Sequence, residues 1–532
     1  MSSAPIHPPE FASGDAALLA QLAALDAEVL TSDDDRAFYA QDVADAGVTP
    51  LAVFRPRSVA ALAAGVGLAT AQGLALFPRG GGMSYTSAYL PDRARSLIVD
   101  TAALTRIVAI NETDLFVTVE AGCTWAMLDA ALAPLGLRTP FWGPFSGWNA
   151  TVGGSMGQGT ATFGTARVGT SGDNVLAFDI IAADGHMVRT GVGGQPGHQP
   201  FTRQYGPDLT GIFANDAGAL GIKARITLPL EPRPAAVGGV SFLFGDFTSL
   251  AAAMRAVARA GLASEAFAMD PAVTRQFAGA SGGFAQDFAA LRAIGRAQGS
   301  ALAGLWRMAQ VARAGRAFLG REGYQFHVVA EDHDAAALRR RLARIRRLCD
   351  AGSVELPPTV PTMVRAVPFA PLPVLSPTGG RMLPLHGIVP WSAAAGLDTA
   401  MTALIARHAD ACAGVQLTIG TSFFGVARSG LLYEPVLYWP DARLLSHERR
   451  TTADLPRHPG NAAAAALVKQ IAAEMIEVFH AAGATHLQIG RVYPWARGRD
   501  AGAMALFAAI KAEIDRQGLI NPGALAGGLV PA

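Results

Sequence analysis

The sequence predicts an α/β (α+β) fold in two parts, and three observations carry that expectation. Its 532 residues exceed one ordinary domain of about 100–200 residues. Strand-like and helix-like patterns alternate along most of the chain. Residues 141–172 interrupt that alternation with an aperiodic run of Gly, Thr, Ser and Ala, a length of loop that is unusual unless it is functional.

Composition narrows the function classes. Hydrophobic residues make up 51% and charged residues 16%, with 43 Lys and Arg against 42 Asp and Glu, so the chain is neither disordered nor a polyanion binder. No nucleic-acid partner is expected. Cys123, Cys349 and Cys412 are far apart and form no CxxC pair, which argues against a disulfide framework or a zinc knuckle. The first fifteen residues, MSSAPIHPPEFASGD, hold no apolar leader core, and no run of 18 uncharged apolar residues occurs anywhere. A cytoplasmic protein with no membrane span is the expectation, and no metal site is expected.

In order, a helix is expected from Ala16 to Leu30, a strand at Leu51–Phe54, a helix at Ser58–Gln72 and a strand at Leu74–Phe77, a β-α-β unit. Strands at Ser96–Val99 and Phe116–Val119 and a helix at Trp125–Ala133 follow. Val175–Ala182 and Met187–Thr190 flank Asp184-Gly185 as a hairpin, Gly221–Leu230 reads as a strand, and Glu231-Pro-Arg-Pro234 marks a boundary. Beyond it come strand Val237–Phe244, helix Phe247–Ala260, strand Tyr324–Ala330, helix Ala335–Leu348, strand Pro384–Val389 and helix Ala394–Ala411. Thr421–Val426 and Leu432–Trp439 add strands, and Asn461–Ala481 is one long helix. The last fifty residues read as strand, helix and turn. Such alternation suggests a sheet covered by helices on one side. The arginines of Leu338–Leu348 are interleaved with Leu338, Leu342, Ile345 and Leu348 at helical spacing, the pattern of a solvated amphipathic helix.

Three glycine groups stand out. Pro78-Arg79-Gly80-Gly81-Gly82-Met83-Ser84 follows a strand and can aim several backbone N–H groups at one anion, such as a diphosphate. It is neither a Walker loop nor a GxGxxG fingerprint, and an ordinary glycine turn is the alternative. Thr151-Val152-Gly153-Gly154-Ser155-Met156-Gly157-Gln158-Gly159 and Phe163–Asp173, which ends in Gly169-Thr170-Ser171-Gly172-Asp173, allow backbone to approach a flat ligand closely.

These motifs, with Trp142-Gly143-Pro144, Tyr205–Phe213, Ala217–Ile222, the Ala484-Thr-His-Leu487 segment and the terminal Asp515–Gly523, resemble the FAD-binding domain of the vanillyl-alcohol oxidase/p-cresol methylhydroxylase (PCMH-type) flavoproteins. The resemblance implies a two-subdomain FAD domain over residues 1–235 with a return segment 483–532, and an α/β cap of antiparallel sheet and helices over 236–482. It implies FAD on Arg79–Ser84, with Pro144, Thr151–Gly157 and Gly169–Asp173 along the diphosphate and flavin, Gly221 and Ile222 near the adenosine, and Asn521 in the return segment. Some relatives bind FAD covalently through a histidine where Met83 stands. Methionine cannot form that bond, so non-covalent FAD is expected, with a tyrosyl link through Tyr433 as the alternative and plain sheet packing as the structural reading of that residue.

The resemblance further implies oxidation of a small alcohol or phenol by hydride transfer to flavin N5, reoxidation by O2 or an electron-carrier protein, and a homodimer. A proton acceptor beside the substrate hydroxyl is required, and a histidine suits neutral pH. His486 is the first candidate and His386 the second. The Tyr-Arg pair that holds phenolates in relatives is replaced by Gly483-Ala484, which leaves Arg491 and Tyr493 as possible substitutes. A D-2-hydroxy-acid dehydrogenase using Arg491 as clamp, a non-redox flavoprotein similar to the alkylglycerone-phosphate synthases, and a non-catalytic binding subunit are the competing readings.

Overall fold

A computed structural model describes residues 13–279, 322–369, 379–450 and 455–525. The amino-terminal segment read for a leader therefore lies outside the described residues, apart from its last three.

The first sheet is four-stranded, with β1 (Ala27–Leu30), β2 (Ala52–Pro56), β3 (Ala75–Arg79) and β4 (Ser96–Asp100) in the order β1-β2-β4-β3. β2, β4 and β3 run parallel, so the helix Val59–Ala71 carries the crossover, and Ser58 caps it by accepting from Ala61 N–H. The helix expected over Ala16–Leu30 is shorter than the sequence suggests. It spans Ser13–Ala23, and Ala27–Leu30 instead pairs antiparallel with β2, because a sheet edge next to it offers ladder bonds that local pattern cannot reveal.

The second sheet is antiparallel, with β5 (Ile107–Asn111), β6 (Phe116–Glu120), β8 (Ala177–Ile181), β9 (Met187–Arg189) and β10 (Ile222–Pro229) in the order β5-β6-β10-β8-β9. A short pair, β7 (Leu137–Arg138) with β11 (Glu231–Pro232), closes its margin. The aperiodic stretch holds two short helices, Val152–Gln158 and Thr165–Val168.

The third sheet has eight strands: β12 (Ala236–Phe244), β13 (Glu265–Met269), β14 (Tyr324–Asp332), β15 (Ser353–Leu356), β16 (Arg381–Pro384), β17 (Gly387–Pro390), β18 (Thr418–Val426) and β19 (Gly430–Trp439). Its order is β15-β12-β14-β13-β18-β19-β16, with β17 also on β19. The strand expected at Pro384–Val389 is thus split at Leu385-His386, and the helix expected over Ala394–Ala411 is broken at His408. The strand expected in the last fifty residues reduces to single bridges, Ile388 to Thr485 and Leu76 to Ile520.

Helices Phe247–Ala260, Ala335–Cys349, Ala394–Arg407 and Ala462–Ala481 cover one face of this sheet and form with it one apolar core. The opposite face looks onto residues 141–172, where Phe267 on β13 meets Phe145 edge-on at 6.4 Å. A buried ion pair joins the two parts, as Arg138 grips Glu331 on β14 through two 2.6 Å bonds, while Arg365, on the same side as β14, bonds both Glu331 and Glu265 and holds that carboxylate pair in place. The sheet is therefore a fixed roof over the glycine-rich stretch.

Candidate functional site

The glycine loop begins where β3 ends. A Cβ on Gly81 would sit 1.8 Å from Asn149 O, and one on Gly80 would sit 2.4 Å from Thr151 Oγ1, so both positions admit only glycine. Gly82 has φ +65°, in the left-handed region that glycine alone enters freely. Among the described residues, the backbone N–H groups of Gly81, Gly82, Met83, Ser84 and Tyr85 donate to no protein acceptor. Beside them Arg79 is only 4% exposed, with Nε and Nη2 unpartnered and the guanidinium 4.6 Å from the centre of the Tyr39 ring. Free main-chain donors next to an unmatched buried cation fit an anion, and the diphosphate of FAD has that chemistry.

The next stretch fits a flat polar ligand. Thr151 Oγ1 accepts from Gly154 N–H at 3.1 Å and starts the helix Val152–Gln158, while Gly153 backs closely onto Ala121. Buried polar atoms without partners gather there: Gln158 Oε1, Thr160 Oγ1, Asn215 Oδ1 and Trp148 Nε1. Cβ atoms on Gly159 and Gly172 would lie 2.7 and 2.6 Å from Asn215 Oδ1, so the glycines leave that atom room. Polar atoms that have lost water and gained nothing suit the hydrogen-bonding edge of an isoalloxazine ring.

Other residues expected to bind the cofactor take supporting places. Val152 and Met156 are fully buried in the core beneath the second sheet, so their side chains do not face a ligand. Pro144 precedes the turn Phe145–Trp148. Asp173 accepts from Thr170 N–H and Oγ1 and closes a turn against Gly169, whose φ is +85°. Gly221, at φ +101°, packs on Ile180, and Ile222 belongs to the first sheet's core. Asn521 donates to Ala88 O and Ala217 O and so anchors the return segment.

Across this region lies a cluster of uncharged aromatic and titratable side chains. β16 and β17 both pair with β19, as Pro384 with Val436 and Gly387 with Tyr433, which sets His386 opposite Glu434 on one face of the roof. His386 is 1% exposed and neither ring nitrogen has a partner. Tyr493 stacks on it at 5.3 Å and on His486 at 4.0 Å, and Tyr493 Oη accepts from His386 N–H at 2.8 Å. Tyr85 stands 6.0 Å from His386 and is held by Gln488 Nε2 at 2.9 Å, while Gln488 N–H donates to Gln158 O at 2.5 Å and joins this cluster to the glycine-rich helix.

His486 carries the chemistry of a base. Its Nδ1 lies 2.7 Å from His386 O, and a carbonyl only accepts, so Nδ1 holds the proton and Nε2 keeps its lone pair. Burial lowers its pKa to about 4, against the bond to His386 O, so the ring is neutral near pH 7. Burial also lowers His386 to about 3 and raises Glu434 to about 8, a neutral acid. No cation acts on Glu434 among the described residues.

Two expected residues are elsewhere. Tyr433 alternates with Glu434 and points to the helix-covered face, where its hydroxyl donates to Asp398 at 3.0 Å and its ring packs on Phe423 and Phe479. It is a core residue of the roof and no flavin attachment point. Arg491 is not a substrate clamp: its guanidinium donates to Ser87 O, Leu90 O, Asn521 Oδ1 and Pro522 O and ties the return segment to the first sheet. Tyr85, Gln488 and Glu434 escaped the sequence reading. Glu434 had one usable signal, a lone acid inside the apolar run of β19.

Residues 50–191 match the model of an FAD binding domain family. The chain is 30% identical over 169 residues to the mitochondrial D-lactate dehydrogenase [cytochrome] 1 of Saccharomyces cerevisiae, covering 31% of this chain and 27% of that protein. It spans between about a quarter and a half of the curated relatives first matched. Its fold resembles p-cresol methylhydroxylase with substrate bound at TM-score 0.72 and 14% identity, over 98% of both chains. It also resembles the 4-ethylphenol oxidase of Gulosibacter chungangensis at TM-score 0.69 and 15% identity, over 98% of both. At such identities the likeness speaks for the fold. Residues 50–191 therefore carry an FAD-binding domain, and along its whole length the chain shares the fold of the PCMH-type flavoproteins it resembles.

Proposed function

We propose that the chain is an FAD-dependent oxidoreductase that oxidises a small alcohol or phenolic compound, taken up as a neutral molecule. Residues 1–235 with 483–532 hold the cofactor in this reading, and residues 236–482 form the cap that faces the substrate. One observation carries it: the cluster between roof and glycine-rich stretch is made of Tyr85, His386, His486, Gln488, Tyr493 and Glu434, with no Lys or Arg among the described residues that contact it.

Bound FAD supplies a hydride acceptor at N5. The remaining work falls to side chains. Arg79 and the glycine-loop N–H groups bind the diphosphate, and the polar edge of Gln158, Thr160 and Asn215 orients the ring. His486 Nε2 takes the proton of the substrate hydroxyl as the carbonyl product forms, while the His386 carbonyl steadies the imidazolium through Nδ1–H. Tyr493 accepts from the His386 amide, which leaves its own O–H free to donate to the substrate oxygen. O2 or an electron-carrier protein would serve as the final electron acceptor.

The D-2-hydroxy-acid reading has the lactate dehydrogenase relatives in its favour. A carboxylate brought into this cluster would lose hydration without meeting a cation, a cost of several kcal/mol. The test is an anaerobic titration followed by bleaching of the flavin bands. Benzylic alcohols or 4-substituted phenols should bleach them, and D-lactate and glycolate should not. Bleaching by the hydroxy acids alone would overturn the proposal.

A further inference from the structure

From the end of β19 the chain runs through residues 441–450 and docks on residues 41–43, in the connection between β1 and β2. Ser446 N–H donates to Gln41 Oε1 at 2.9 Å, Ser446 Oγ to Asp42 O at 3.1 Å and His447 Nε2 to Val43 O at 2.8 Å. At its tip, Arg450 Nη1 donates to Gly82 O at 2.6 Å and Nη2 to Gly81 O at 3.3 Å, and Asn149 Nδ2 reaches the same Gly81 O at 2.7 Å.

Those two carbonyls decide the geometry of the loop. In a trans peptide the C=O of one residue and the N–H of the next point opposite ways. With the carbonyls of Gly81 and Gly82 drawn toward Arg450, the N–H groups of Gly82 and Met83 turn to the other side, where they have no protein partner. The charge points the same way. Arg79 Nη2 and Arg450 Nη2 both lie within 2.6 Å of the point a Gly82 Cβ would occupy, two like charges side by side. The nearby carboxylates are engaged: Asp100 with Arg55 and the Ala102 amide, Asp42 with the amides of Ala44, Asp45 and Ser87. Two adjoining guanidiniums with, among the described residues, no carboxylate bonded to either repel each other, a cost that a strong anion beside them would offset.

We infer that Arg450, supplied by the roof segment 441–450, is a positioning residue for FAD: it sets the glycine-loop amides toward the diphosphate and adds its charge to that of Arg79. This rests on the FAD reading of the loop. Arg449 is the built-in control, because it pairs with Asp34 and Asp35 at the surface and touches no loop carbonyl.

The test is the Kd of FAD for apo-protein, measured by flavin fluorescence at several salt concentrations. Arg450→Ala should raise Kd roughly tenfold or more and flatten its salt dependence. Arg450→Lys should recover part of the loss, since an ammonium keeps the charge but cannot span two carbonyls. Arg449→Ala should bind as the parent does. Should R450A fail to fold, Arg450→Gln is read by the same criteria. A variant at Arg450 with the parent's Kd and salt slope overturns the inference alone. A parent protein that binds no FAD overturns the FAD reading and the inference together.

Discussion

On the cofactor side, Gly80–Ser84 works through main-chain amides and buried guanidinium, a surface that attracts charge. Across the site, the face of the eight-stranded sheet away from the helices carries His386 and Glu434, both held neutral by burial, with Tyr493 stacked on His386 and His486 stacked in turn on Tyr493. Under the proposed function, the difference would let one cleft grip a dianionic cofactor and still penalise a charged substrate. The glycine side matches charge with charge, while the roof leaves a charge unmatched and so penalises it.

The largest expected effect tests the roof. His486→Ala should lower kcat about 10²–10⁴-fold while leaving FAD affinity unchanged, measured by steady-state turnover beside flavin titration. In the parent enzyme the acid limb of kcat/KM should fall near pH 4, where burial places the His486 pKa. A limb near the ordinary histidine value would show that the ring is solvated and would erase the contrast.

Next comes the glycine side. Gly81→Ala places a methyl group 1.8 Å from Asn149 O, and FAD retention after desalting should collapse, with Kd raised at least ~100-fold. Stoichiometric flavin in this variant would break the comparison, because the loop would then be an ordinary turn.

Two smaller effects sharpen it. Tyr433→Phe removes the bond to Asp398 on the helix-covered face, and should cost about 1 kcal/mol of stability without changing flavin content or turnover. Lost activity would place Tyr433 in the site after all. Glu434→Gln tests the neutral acid. A carboxyl whose folded pKa is raised to about 8 keeps its proton when the unfolded chain has lost it, so its contribution to stability declines as pH rises from the ordinary glutamate range toward 8. The variant should therefore gain in Tm relative to the parent over that window. Parallel Tm curves would mean that Glu434 is ionised and the roof charged.

The glycine side was legible in the sequence because its requirement is local. Gly81 and Gly82 are demanded by close approach and positive φ within a few residues of β3, and no other residue type satisfies them. The same holds for helices that carry their own caps, such as Ser58 before Val59–Ala71 and Asp246 before Phe247–Ala260. Tertiary structure alone decided the rest. Whether Tyr433 or Glu434 faces the site depends on which face of β19 the helices cover, a choice that one step of register reverses. Arg491 looked like a free cation until the return segment folded it among main-chain carbonyls, and His486 gained its tautomer only from a carbonyl on a distant strand. Main-chain conformation is written in neighbouring residues, whereas the partners of a buried side chain are set by pairing between segments far apart in the chain.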